Sequence, residues 1–344
     1  MNSRALVEKT LNFDNPLQIP RQLWILPWAE SHYPKESQDI MKRFPDDILS
    51  APAIYKKNLV TIRNRYKIGE YVDEWGCKFL NVQDGVIGIV KEPIISNWAE
   101  LEDFQPPEST LTLDKETVNK FCKGNDKFIL SGSVVRPFER YQFLRTTEEA
   151  MVDLVLKPAG MTELLGMIHE HYCKEVEIWA QTNVDGIALM DDWGMQNSLL
   201  TSPEIFEFYF KPMYKEYANI ASNYNKYVFM HSDGYITDII EDLIEVGVHA
   251  LNSQLFCMDI EELGEKFRGE ITFWGEIDRQ HLLPNGTKKD IEDAVRKVYK
   301  ELYAGGGVIA QCEFGPAAKP ENIFAVFETW DKISNSQINI RHTD

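Results

Sequence analysis

Short runs of apolar and β-branched residues recur from residue 127 onward, each followed by polar or glycine residues and then an amphipathic stretch. Continuous apolar runs predict strands of a parallel sheet that is covered on both faces. The runs are KFILSG (127–132), DGIALMDDW (185–193), KYVFMHSDG (226–234), VHALNSQ (248–254), ITFWGEID (271–278) and GVIAQCEFG (307–315).

The stretches between these runs predict helices. Residues 201–224 begin with Ser202 as a candidate N-cap and Pro203 at the first helical position. Residues 235–247 place apolar side chains on one stripe and end at Gly247. Alternating strands and helices with short connections predict a parallel sheet with right-handed crossovers. The length of 344 residues favours a (β/α)8 TIM barrel over an open sheet, and no GxGxxG motif supports a dinucleotide fold.

The N-terminal part of the chain, 1–110, is irregular and rich in tryptophan, proline and acidic residues. We interpret it as an extension of helices and loops that packs on the barrel and covers one mouth. Residues 71–79 (YVDEWGCKF) predict a strand or hairpin within it. Residues 111–344 are then the main part of a single TIM-barrel domain.

Charge and cysteine content narrow the class of protein. The chain has 36 basic and 54 acidic residues, a net charge of −18, which disfavours nucleic acid and anionic membranes as partners. Its 5 cysteines are odd in number and form no CxxC motif, which indicates a reducing compartment. With no signal-peptide pattern and no apolar run long enough to span a bilayer, we expect a cytoplasmic protein.

Polar residues follow the predicted strands where each strand ends. His231 and Asp233 close one strand, Asp192 and Glu276 follow two others, and Cys312 lies in the last. In a parallel barrel all strands end at the same face, so these groups should converge. His231, Asp233 and Cys312 are zinc-ligand types, and three protein ligands leave a fourth position open for catalysis. A hydrogen-bonded His–Asp pair without metal stays open as the alternative.

A rival group of ligand types lies in the segment HEHYC (169–173), within a helical stripe. Residues two apart on a helix diverge by about 200°, so His169 and His171 cannot share an ion. His169 and Cys173, four apart, could do so. An ordinary helix with a partly exposed face is the favoured interpretation.

Four segments together resemble the uroporphyrinogen decarboxylase superfamily, over about residues 18–332. The segments are DDWGMQNSLLTSPEIFEFYFKPMYKE, HSDGYITDIIEDLIEVGVHALNSQ, FWGEIDRQHLLPNGT and GGGVIAQCEFGPAAKPENIFAVFE. The resemblance implies a (β/α)8 barrel. True decarboxylases of this superfamily carry an RQAGR-like segment whose arginines bind substrate carboxylates. Here that stretch resembles PWAES, with Pro27 and Ser31 at the arginine positions, so uroporphyrinogen decarboxylation is not expected.

The other branch of the superfamily comprises corrinoid-dependent methyltransferases, whose zinc motif resembles H-x-C followed by a distant cysteine. His231 matches the histidine, Cys312 matches the second cysteine, and Asp233 stands in place of the first. A carboxylate in place of a thiolate leaves a harder, more electrophilic Zn²⁺, which suits an oxygen leaving group. The resemblance therefore implies the methyltransferase component of an O-demethylase, which moves a methyl group from an aryl methyl ether to the cob(I)alamin of a separate corrinoid-binding protein.

Further residues take candidate roles in this interpretation. Asp192 and Glu276 are candidate proton carriers or partners of the zinc ligands, although capping helices is an equal alternative. The candidate walls of an aromatic pocket are Trp28, His32, Tyr33 and Trp193. The alternatives are methyl transfer from a corrinoid protein to a thiol coenzyme, decarboxylation of a smaller acid, and non-catalytic binding of a corrinoid protein. A homodimer is compatible with all of them.

Overall fold

The computed structural model describes residues 1–341, with side chains through Ser336. The strands are β1 (Arg21–Ile25), β2 (Ile48–Ser50), β3 (Gly69–Val72), β4 (Lys78–Asn81), β5 (Ile89–Glu92), β6 (Phe128–Val135), β7 (Gly186–Met190), β8 (Tyr227–Ser232), β9 (Ala250–Ser253), β10 (Thr272–Trp274) and β11 (Val308–Phe314). Eight of them form one sheet in the order β1-β11-β10-β9-β8-β7-β6-β2, and every pair in it is parallel.

The edge strands β1 and β2 meet and close this sheet into a (β/α)8 barrel. The Asp47 amide donates to the Arg21 carbonyl at 2.8 Å, and the Gln22 side chain donates to the Ile48 carbonyl at 3.2 Å. The carboxylates of Asp46 and Asp47 accept the amides of Leu23 and Arg21 at 2.8 and 2.9 Å. Between β1 and β2, side chains therefore supply some of the hydrogen bonds that two backbones would make in a regular sheet. No open sheet edge remains where these two strands meet.

The helices are α1 (Ser3–Leu11), α2 (Pro27–His32), α3 (Pro34–Arg43), α4 (Lys115–Lys123), α5 (Pro137–Arg145), α6 (Thr147–Leu156), α7 (Ala159–Ala180), α8 (Pro203–Ile205), α9 (Lys211–Asn223), α10 (Ile240–Val246), α11 (Ile260–Phe267), α12 (Leu282–Asn285), α13 (Lys288–Leu302) and α14 (Pro320–Arg341). A π-helical turn, Phe206–Phe210, joins α8 to α9. Gly247, at φ 103°, ends α10 in the left-handed conformation that glycine tolerates best. None of the helices in the described part is long and apolar enough to cross a membrane.

The barrel has a packed interior and one covered end. Inward side chains of alternate strand positions form a cluster with Val7 and Leu11 of α1. The Gly307 amide donates to the Thr10 carbonyl at 2.9 Å, and Arg4 pairs with Asp185 at 3.0 Å. Helix α1 therefore covers the amino ends of the strands, and the open mouth is at their carboxyl ends, where sites form in this fold.

The predicted fold class is confirmed, and all six predicted strands form. The predicted boundary at residue 110 is wrong, because β1 and β2 belong to the barrel. β1 has 5 residues, of which the first two are polar, and β2 has only 3 residues, so neither matches the longer apolar runs that marked the other strands. The parts of 1–110 that do lie at the mouth are the residues that follow β1 and the antiparallel sheet of β3, β4 and β5.

Candidate active site

His231 lies at the carboxyl end of β8 with its ring inside the barrel mouth. Its Nδ1 is 2.6 Å from Oδ1 of Asn252, whose Nδ2 donates to the Trp274 carbonyl. Because that donation fixes the amide, Oδ1 must accept and Nδ1 must carry the proton. The lone pair of the imidazole is therefore on Nε2, on the side that faces the mouth.

Two carboxylates lie near this Nε2. Asp233 Oδ1 is 3.5 Å away and Asp192 Oδ1 is 3.6 Å away. Tetrahedral ligands on a zinc ion with ordinary bond lengths lie about 3.4 Å from one another. Asp192 Oδ1 is also held by the Asp233 amide at 3.0 Å. Both separations from Nε2 are close to the tetrahedral spacing, and all three atoms lie within 4.8 Å of one another, so together they could hold a cation.

Asp233 Oδ1 is buried, yet it has no hydrogen-bond partner among the described residues. A buried oxygen left in this state costs about 1–3 kcal/mol. A bound cation would satisfy it. Nitrogen and oxygen donors with one open position fit a catalytic divalent ion such as Zn²⁺.

Arg279 balances the negative charge of this region. Its Nη2 donates to Asp233 Oδ2, its Nη1 is 3.2 Å from Glu313 Oε2, and its Nε is 3.7 Å from Glu276 Oε2. Burial lowers the pKa of Arg279, but these three carboxylates raise it above the ordinary value. Burial raises the pKa of Glu276 well above the usual range, although the Arg279 guanidinium opposes this shift.

The structure does not bring Cys312 to this group. Cys312 is fully buried in the apolar core between the barrel and its helices, whereas the next residue, Glu313, faces Arg279 inside the mouth. Side chains alternate along a strand, so the two residues of β11 cannot face the same way. The third donor near His231 and Asp233 is Asp192.

Trp193 does not form the pocket wall that the sequence suggested. It is fully buried, stacks on Phe138 with ring centroids 3.9 Å apart, and donates from Nε1 to Tyr214 at 3.0 Å. Trp193 follows a strand end, which is why it was predicted to face the mouth. Its ring instead packs among the surrounding helices.

The other three predicted wall residues follow β1 at the mouth. Trp28 stacks on His32 with ring centroids 4.1 Å apart, and Tyr33 stacks on Phe314 at 5.7 Å. His32 is exposed, while Trp28 and Tyr33 are half-buried. Their role in binding substrate stays a prediction.

A cavity of about 290 Å³ lies between the three-stranded sheet and the carboxyl end of β6. Its aromatic walls are Tyr55, Tyr71, Trp75, Phe79, Phe143 and Tyr172. Arg140 lies over the Trp75 ring at 4.7 Å and pairs with Asp73 at 2.6 Å, so its charge is already partnered. Sequence reasoning missed this cavity, although the mixed aromatic and charged segment 71–79 was a signal for it.

The cavity continues toward the cation site. A neighbouring groove shares Phe79, Phe143 and Arg136 with it and is also lined by Asp192 and Glu139. Arg136 pairs with Glu139 at 3.5 Å, and burial raises the pKa of Glu139 to about 7. An aromatic-walled space therefore reaches the edge of the acidic cluster.

Comparison with known proteins agrees with this architecture. Residues 72–333 match the family described as "Uroporphyrinogen decarboxylase (URO-D)". The search of curated proteins found no match. A solved methyltransferase from Methanosarcina mazei is 16% identical, with a TM-score of 0.70, and the match covers 97% of this chain and 99% of that chain. At this identity the likeness shows the fold alone.

A solved dihydropteroate synthetase with a bound product also matches, at 10% identity over 92% of this chain and 96% of that chain. Its TM-score of 0.34 is too low for any argument about the site.

Proposed function

Because the chain belongs to the uroporphyrinogen decarboxylase family, we propose that it is the zinc-dependent methyltransferase component of an O-demethylase. It moves a methyl group from an aryl methyl ether to the cob(I)alamin of a separate corrinoid protein. The observation that carries the proposal is the convergence of His231, Asp233 and Asp192 at the barrel mouth, with one ligand atom from each within 4.8 Å of the others.

The charges of the mouth argue against uroporphyrinogen decarboxylation. Asp192, Asp233, Glu276 and Glu313 gather there, and Arg279 is engaged by three of them. Pro27 and Ser31 stand where the arginines of true decarboxylases are expected. A substrate with many carboxylates would meet repulsion rather than a clamp. The methyltransferase branch of the family fits this mouth better, and the M. mazei methyltransferase shares its fold.

The donor set fits ether chemistry. His231 Nε2, Asp233 Oδ1 and Asp192 Oδ1 would hold the ion, and Asn252 fixes the imidazole so that Nε2 stays available. Zn²⁺ bound there would supply Lewis acidity to the ether oxygen, whose departure limits demethylation. Glu276 lies across Arg279 from Asp233, and burial raises its pKa, so it is the proposed donor of a proton to the leaving phenolate oxygen.

The aromatic-walled cavity beside Asp192 is the proposed place for the ring of the ether. Its volume of about 290 Å³ suits one substituted ring, and its walls offer edge and face contacts. This cavity takes over the role that Trp193 cannot fill.

Metal analysis combined with a demethylation assay tests the proposal. The purified chain should contain zinc at the mouth and should demethylate an aryl methyl ether when a reduced corrinoid protein is present. His231→Ala should lose that zinc and about 10³-fold in turnover, since several kcal/mol of charge stabilisation disappear. His249→Gln is the matched control, because His249 precedes β9 at the opposite end of the barrel.

The alternatives give different results in the same assay. A thiol methyltransferase would turn over methylcobalamin with a thiol and leave the ether intact. A decarboxylase of a smaller acid would keep its activity after chelation. Full turnover with retained zinc in His231→Ala would contradict the proposal.

A further inference from the structure

A second group of metal-ligand side chains lies on the outer helices. His169 and Cys173 belong to α7, and Glu216 belongs to α9, which packs along α7. One ligand atom from each lies within 4.8 Å of the others. We propose that these residues form a second cation site, selective for soft divalent ions such as Zn²⁺, that joins α7 to α9.

The helical spacing accounts for the pairing. Residues four apart lie on the same face of a helix, so His169 and Cys173 are neighbours on α7. His171, between them, points the other way, is buried, and meets Thr110 Oγ1 at 2.9 Å. The prediction that His169 and His171 cannot share an ion is therefore confirmed.

The distances are close to those of a tetrahedral site. His169 Nε2 is 2.9 Å from Glu216 Oε2, and Cys173 Sγ is 3.8 Å from the same nitrogen. With ordinary zinc bonds the nitrogen–oxygen and nitrogen–sulfur separations would be about 3.4 and 3.6 Å. Each separation therefore needs to change by only a few tenths of an ångström.

One side-chain movement is also required. Cys173 Sγ is 3.8 Å from both ring nitrogens of His169, so it lies above the ring rather than in its plane. A ligand of Nε2 must lie in that plane. Rotation of Cys173 about its Cα–Cβ bond brings the sulfur toward it, and Cys173 is only partly buried.

Tyr217 provides independent support for a ligand role of His169. Its hydroxyl, on an almost fully buried side chain, is 2.9 Å from His169 Nδ1. Metal-bound histidines typically donate their other ring N–H to such an oxygen, which fixes the ring and its tautomer. The cation would bind Nε2 and Glu216 Oε2 in place of any proton that they share, and that proton and the proton of the Cys173 thiol would be released to solvent.

The ligand chemistry separates this site from the mouth. The three donors near His231 Nε2 include no sulfur, whereas the site on α7 and α9 contains a thiolate. A soft ligand favours zinc, cadmium and cobalt over magnesium and calcium. The two sites therefore differ in metal selectivity and in the absorption spectrum of the bound metal. An experiment can contradict one of the two proposals and leave the other intact.

Cobalt(II) titration of the full chain is the test, because a thiolate bound to Co²⁺ gives a near-ultraviolet charge-transfer band. We expect a band that saturates at one ion per chain. It should persist in His231→Ala and in Cys312→Ser, and it should disappear in Cys173→Ser. No band in the wild-type chain, or a band that survives in Cys173→Ser, overturns the second site. Loss of the band in Cys312→Ser instead would place the thiolate at the mouth.

Thermal unfolding with added Zn²⁺ gives a second readout that does not depend on turnover. The ion should raise the Tm by a few degrees in the wild-type chain and in His231→Ala, because it binds the folded helices only. In the His231→Ala background, which lacks the mouth site, Glu216→Gln should lose most of that shift, and its fold is not at risk because Glu216 is exposed. A Tm shift that is undiminished in both Glu216→Gln and Cys173→Ser contradicts the proposal.

Discussion

Two carboxylates of this protein are each held by an arginine, yet they lie in different surroundings. Asp153, between α5 and α6, accepts from Arg145 Nε and from Tyr141, both at 2.8 Å, and from Arg145 Nη2 at 3.3 Å. Both of its oxygens are partnered. Asp233, at the barrel mouth, gives Oδ2 to Arg279 and leaves Oδ1 buried without a partner among the described residues.

The difference separates a structural polar network from a functional one. A saturated buried network fixes the packing of the helices around it, and each member has already used its bonds. A buried oxygen without a hydrogen-bond partner lowers the stability of the fold, and in a barrel the carboxyl end of a strand is where ligands bind. The proposed cation, held also by His231 Nε2 and Asp192 Oδ1, would be its missing partner.

The largest expected effect is the difference in stability between variants that remove the charge of Asp153 and of Asp233. Asp153→Asn should lower the free energy of unfolding by about 3–5 kcal/mol, because the buried Arg145 then keeps only the more exposed Glu149, at 3.5 Å, as a counter-charge. Asp233→Asn should change stability far less, because Arg279 keeps Glu276 and Glu313 as partners. Urea unfolding of both variants, with zinc content measured alongside, makes the comparison.

Zinc content should show the opposite pattern. Asp153→Asn should retain the metal of the wild-type chain at the mouth, and Asp233→Asn should lose it. Equal losses of stability in the two variants, or equal metal content, would show that the distinction between the networks is wrong.

The sequence predicts the barrel well because its strands and helix ends are marked by patterns within short segments of the chain. Continuous apolar runs identify six strands, and caps such as Pro203 and Gly247 mark helix ends. β1 and β2 were not predicted, because the pairing of these strands depends on residues that are distant in the sequence. The Asp46 and Asp47 carboxylates that bind β1 show no periodicity that a single sequence could reveal.

The site is predicted in part for a related reason. His231 and Asp233 are two residues apart. Side chains at this spacing in an extended chain point to the same side, so their proximity does not depend on the rest of the fold. The choice between Cys312 and Glu313 needs the register of β11 relative to the mouth, and a shift of one residue reverses it. The orientation of Trp193 depends on Phe138 and Tyr214, which come from separate helices.

Glu175 is an intermediate case, a buried acid that lines the aromatic-walled cavity. Burial raises its pKa to about 7 and lowers that of His171, 3.9 Å away, to about 4, so at pH 6 both are neutral. A raised folded-state pKa stabilises the fold at pH values below the unfolded pKa, and this contribution is lost as pH rises through about 7.

The effect of Glu175 on stability should therefore depend on pH. Between pH 5 and pH 8.5 the wild-type chain should lose up to about 3 kcal/mol relative to Glu175→Gln, which cannot ionise. Urea unfolding at the two pH values measures the difference. A wild-type chain that gains stability relative to the variant on going to pH 8.5 would mean that a charged Glu175 is paired, and the cavity would then resemble the saturated network of Asp153.

The smallest effect is expected at Asn252, which holds His231 but would not touch the cation. Asn252→Leu removes the acceptor of the Nδ1 proton, so the imidazole can turn and its tautomer is no longer fixed. Zinc affinity at the mouth should fall by about 10–100-fold, measured by competition with a chelator. Asn252→Asp is the comparison variant, since it keeps an oxygen for Nδ1, loses the donor to the Trp274 carbonyl and adds a negative charge. If Asp weakens zinc binding as much as Leu does, the bond to Trp274 controls the site; if neither does, the orientation of His231 does not depend on Asn252.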